Sequence, residues 1–76
     1  MDNYIEIDNH LINIDNISIV NFKEKDPVQC VLYIQFKSGD DLEFKNHWLF
    51  SNYPLLRKRE LEDAYNKIRK YLLNKE

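Results

Sequence analysis

Glycine and cysteine each occur once in this 76-residue sequence, and proline twice. Each shortage removes a class of chemistry. A single glycine leaves no material for a glycine-rich loop that wraps phosphates. A single cysteine, Cys30, forms no disulfide within the chain and excludes zinc sites built from several cysteines. No apolar run approaches the roughly 20 residues that a membrane-spanning helix needs. The amino-terminal stretch MDNYIEID is acidic and lacks the basic start and apolar core of a signal peptide. The expected location is therefore intracellular, in the cytoplasm. Excess positive charge is missing as well: the formal net charge is −2, so there is no overall electrostatic case for nucleic acid.

What the chain does have is a balance of 43% hydrophobic and 32% charged residues, as expected of a folded domain. Its length fits one domain, 1–76, with a thin core; a chain this short buries only about 60% of the surface its unfolded form exposes. Charge is uneven along it. Residues 1–53 carry nine acidic and four basic side chains, and residues 54–76 carry four acidic and seven basic. Most of that asymmetry comes from Arg57, Lys58 and Arg59.

The first third reads as short strands separated by Asp-Asn pairs: NYIEI (3–7), HLINI (10–14) and ISIVNF (17–22). Asp and Asn tolerate positive φ better than other non-glycine residues, so Asp8-Asn9 and Asp15-Asn16 stand where turns belong. The second pair also reads as a bend or bulge, because Ile12, Ile14, Ile17 and Ile19 do not keep one parity across it. In VQCVLYIQFK (28–37), Val28, Cys30, Leu32, Ile34 and Phe36 alternate with Gln29, Val31, Tyr33, Gln35 and Lys37. A period of two sustained over that length predicts a strand with one buried face. The turn SGDD (38–41) holds Gly39, suited to a left-handed position in a hairpin loop. LEFKN (42–46) follows, with Leu42 and Phe44 inward.

The period then changes. Leu61, Ala64, Tyr65, Ile68 and Leu72 recur at helical spacing, which predicts an amphipathic helix over about 57–73. The expected fold is α+β: a curved antiparallel meander of about five strands within 3–46, an aromatic connection at 47–56, and one carboxy-terminal helix packed on the sheet.

Catalytic signatures are hard to find. Cys30 falls on the apolar face of its strand, where a thiol behaves as a small hydrophobe. Ser18, Ser38 and Ser51 lack a nucleophile motif. His10 and His47 have no second ligand at metal-binding spacing, although Asp8 and Asp41 are available carboxylates. Asp40-Asp41 and the group Glu60, Glu62 and Asp63 read as solvated charge. Tyr4, Tyr33 and Gln35 offer a stacking surface for bases, but only Lys37 among their strand neighbours adds a cation. The expectation is a non-enzymatic protein with no cofactor and no metal.

The connection NHWLFSNYPLLRKR (46–59) holds more apolar surface than a loop needs. Projected back from Leu61 at ~100° per residue, Leu55 falls about 120° and Leu56 about 220° away, off the core stripe. Either the helix begins near Arg57, or a helix beginning at Pro54 exposes two leucines. Trp48 and Phe50 suit a lid over the core. Trp48, Leu49, Tyr53, Leu55, Leu56, Arg57, Lys58 and Arg59 together have the composition of a partner-binding surface. On that reading, charge reversal at Arg57, Lys58 and Arg59 leaves folding intact but abolishes activity. The same cations beside Trp48 and Tyr53 also suit a small nucleotide, and Trp48, Leu55 and Leu56 suit a homo-oligomer contact.

The run from YIEI and INIDNISIV through YIQFKSGDDLEF to the closing helix resembles small bacterial and prophage proteins with a reduced pleckstrin-homology-like pattern. The abundance of Asn, Ile, Lys and Asp agrees with coding by a low-GC bacterium or its phages. That resemblance implies a binding protein that recognises peptides, lipids or proteins. Its most concrete form is a phage- or mobile-element-encoded inhibitor of a host protein, such as an anti-CRISPR or other anti-defence factor.

Overall fold

The computed structural model describes residues 3–25, 29–46 and 54–74. Five antiparallel strands are followed by one helix packed on them, an α+β arrangement. Strands β1 (Tyr4–Ile7) and β2 (His10–Asn13) form a hairpin. Strands β3 (Ile17–Glu24), β4 (Cys30–Phe36) and β5 (Asp41–Lys45) form a three-stranded sheet in that order. The helix α1 runs Pro54–Asn74, starting three residues before the position expected from the core stripe.

Local chemistry sets the turns. Asp8 and Asn9 both have positive φ, 51° and 69°, between the paired residues Ile7 and His10. Two left-handed residues in a two-residue loop give the turn whose twist matches the flanking strands. Gly39, at φ 101°, closes the β4–β5 turn. There the Gly39 N–H donates to the Phe36 carbonyl at 2.9 Å, and the Phe36 N–H donates to the Asp40 carbonyl at 2.8 Å.

The second Asp-Asn pair makes a corner. Ile14–Asn16 form one 3₁₀ turn, opened by the Asn13 side chain accepting from the Asp15 N–H at 3.0 Å. Beyond it, Ile17 pairs with Phe36 and Ile19 with Gln35, so Ser18 sits in a bulge. The corner and bulge together explain the broken parity. Ile12, Ile14 and Ile17 are buried while Ile19 is exposed, and Val20 and Phe22 then turn towards the core. The corner also splits the strands into two sheets where the sequence suggested one meander.

Both sheets contribute to one core. Ile5, Ile7 and Ile12 face it from the hairpin, and Cys30, Leu32, Ile34 and Phe44 from the larger sheet. Leu61 and Ile68 fill the middle, both fully buried. Asn46 is buried as well, and its side-chain oxygen accepts the Cys30 N–H at 2.7 Å. That bond satisfies the first backbone donor of β4 where β5 ends.

Candidate functional site

The region singled out by its composition lies where α1 begins. Trp48, Leu49, Phe50 and Tyr53 lie outside the described residues. Leu55 and Leu56 are 62% and 64% exposed in the first turn of α1. Helix geometry predicts this: neither leucine shares the stripe of Leu61 and Ile68, and the helix does begin early enough to carry them.

The three basic residues separate in the structure. On the same projection Arg57 falls about 40° to one side of Leu61 and Lys58 about 60° to the other, so they flank the core stripe. Arg57 bonds Asp8 in the β1–β2 turn and Glu60 one turn along the helix. Lys58 lies 2.6 Å from Glu24 at the end of β3. Adjacent residues therefore tie the helix to different sheets. Their side chains are only 17% and 16% exposed, whereas Arg59 is exposed.

Electrostatics explains the arrangement. The amino end of a helix carries partial positive charge, so basic residues there are unfavourable unless acids approach. The first turn of α1 contains no acidic residue. Asp8 and Glu24 from the two sheets, with Glu60, supply the missing charge. Burial pulls the Arg57 guanidinium down, but its hydrogen bonds to Asp8 and Glu60 outweigh that and hold it protonated. The hydrogen bond to Glu24 raises Lys58 above its ordinary value. Charge reversal across 57–59 thus also removes two ties between the helix and the sheets, so lost activity would not report binding alone.

The far end of the helix is fastened differently. The Tyr71 hydroxyl donates to Asp15 Oδ1 at 2.9 Å, and the other Asp15 oxygen accepts from the Asn3 side-chain amide. Asp15 thus joins the helix, the corner and the start of the chain. Between the two ends, Tyr65 stacks on Phe22 with ring centroids 5.8 Å apart.

The other residues weighed from the sequence are dispersed. Cys30 is buried, and burial pushes its thiol above the ordinary value. His10 is exposed, with its ring edge-to-face on Phe44 at 5.7 Å; His47 lies outside the described residues. Among the described residues no three His, Cys, Asp or Glu side chains gather as a metal site. Tyr33 points from the outer face of the larger sheet, and its hydroxyl lies 3.3 Å from Asp41. Burial and the Asp41 carboxylate raise its pKa. Tyr4 belongs to the separate hairpin. Among the described residues no helix is long and apolar enough to cross a membrane.

Compared with known proteins, the chain matches no family model, no curated protein and no solved structure.

Proposed function

We propose that this is a non-enzymatic binding protein that acts by covering a surface of a protein partner. The observation that carries the reading is the pair of consecutive leucines exposed at the start of α1, next to exposed Arg59. Two adjacent leucines left mostly in solvent give the native monomer little from burial, and each is worth about 1.5–3 kcal/mol when fully buried. An Arg beside such a patch is the composition from which binding hot spots are drawn. Arg57 and Lys58 contribute indirectly, by fixing the turn that presents the leucines. The narrower form, an anti-CRISPR or other anti-defence inhibitor directed at a host protein in a bacterial cytoplasm, draws on small size, composition and the pleckstrin-homology-like resemblance.

The nucleotide reading needs one or two cations beside an aromatic; Arg57 and Lys58 are engaged in the fold, which leaves exposed Arg59 for that role. A homo-oligomer would use the same leucines. Native mass spectrometry of the protein isolated gently from its own cells distinguishes these. A partner of tens of kDa, lost in the Leu55→Asp/Leu56→Asp variant, is the expected result. A bare multiple of 9.3 kDa assigns the leucines to self-association, and a few hundred Da per subunit assigns a small ligand. A partner retained by the double variant removes the leucines from the proposal.

A further inference from the structure

A second binding feature lies on the hairpin edge, and it does not rest on the leucine pair. The register fixes which backbone groups of β1 are used. Ile5 pairs with Ile12, Ile7 with His10, and the Ile14 N–H donates to the Asn3 carbonyl at 2.8 Å. In an antiparallel pair the hydrogen-bonded residues alternate. Residues 3, 5 and 7 thus turn their backbone groups towards β2, and Tyr4 and Glu6 turn theirs to the open edge. Among the described residues no backbone group of another strand pairs with that edge. An unpaired edge is a template for another strand unless it is blocked. Tyr4–Ile7 holds no bulge, proline or lysine; its guards are its four-residue length and the negative charge of Glu6, which a basic strand meets favourably.

Beside the edge runs a groove of about 460 Å³ between β1 and α1. Ile5, Ile7 and Ala64 form its apolar part, and Glu6, Asp8, Glu60 and Asp63 its charged rim. Lys67 lines it too, and Arg57 bonds Asp8 and Glu60 from its end, so four carboxylates face two cations. A strand added to β1 places alternate side chains over Ile5 and Ile7 and the others beside Glu6 on the outer face.

We propose that the open edge of β1 and the groove beside it take an extended peptide segment as an added strand, its side chains alternating apolar and basic. Backbone bonds to Tyr4 and Glu6 give the affinity. The apolar part of the groove selects the inward side chains and Glu6 on the outer face selects the basic ones, as in strand addition generally.

The test is an amide-shift titration of the ¹⁵N-labelled protein with a capped hexapeptide of three Lys-Val repeats. Saturable shifts at Tyr4, Glu6 and Ala64, with little change along β5, are expected at peptide concentrations on the order of 1 mM. Two companion peptides, one with Glu in place of Lys and one N-methylated on the residues that pair with β1, are expected to bind at least about tenfold more weakly. Glu6→Lys, at an exposed position, weakens the Lys-Val peptide by a similar factor and leaves the spectrum otherwise native. No saturable shift at that concentration overturns the proposal. Equal binding of the N-methylated peptide overturns strand addition, and equal binding of the Glu peptide overturns the charge selection.

Discussion

The two parts of α1 are held by opposite means. From Leu61 onward the helix is seated by an apolar stripe, with Leu61 and Ile68 fully buried and Tyr65 stacked on Phe22. Before Leu61, the described side chains that secure it are charged: Arg57 to the hairpin turn and Lys58 to the end of β3. Charge pairs with half-exposed partners contribute little each, about 0–1 kcal/mol, while a buried leucine is worth several times that. The difference shows how the start of the helix is secured while two of its leucines stay outside the core. A turn tied down by charges flanking the stripe leaves its apolar side chains unused by the core.

Breaking the apolar part should produce the largest effect. Leu61→Ala or Ile68→Ala is expected to lower stability by about 2–5 kcal/mol, read from urea unfolding. For a domain this small, that is a large fraction of the total. Next comes the fastening at the far end. Asp15→Ala leaves the Tyr71 hydroxyl and the Asn3 amide without their shared partner, an expected loss of about 1–3 kcal/mol. Arg57→Glu places an acid beside Asp8 and Glu60, with an expected loss of about 1 kcal/mol that shrinks in high salt. An Arg57→Glu effect equal to that of Leu61→Ala would erase the contrast between the two parts.

Alkaline pH gives a smaller and graded effect. Cys30, Tyr33 and Lys58 all titrate higher in the folded protein than at their ordinary values of 9.0, 10.0 and 10.5. The unfolded chain loses these protons first. Stability is therefore full below about pH 9 and falls as pH rises through the range where the folded groups titrate. Urea midpoints at pH 7, 9 and 10 should decline in that order. A flat profile would show that the native surroundings of these groups do not favour their protonated forms.

Much of the scaffold was legible because its signals are local. Alternation over 28–37 marked the central strand, Asp8-Asn9 and Gly39 marked the left-handed turns, and helical spacing from Leu61 to Leu72 marked the seated part of α1. The bonds that position the candidate surface are not local. Arg57 meets Asp8 across 49 residues, and Tyr71 meets Asp15 across 56. No pattern of nearby residues encodes such pairs. One usable signal was present: the projection that removed Leu55 and Leu56 from the stripe also places Arg57 and Lys58 on its two borders. Side chains bordering a core stripe meet the neighbouring elements, so these two cations were the ones to suspect of internal pairing. The division into two sheets was hidden because the Ile14–Asn16 corner and the Ser18 bulge each read, within the sequence, as one more irregularity between strands.

The most direct test of the central claim is the urea unfolding curve of Leu55→Asp/Leu56→Asp at neutral pH. A free energy of unfolding within about 0.5 kcal/mol of the parent is expected, as for surface positions that the core does not use. A loss of several kcal/mol would contradict it, placing both leucines among the residues that hold the fold together.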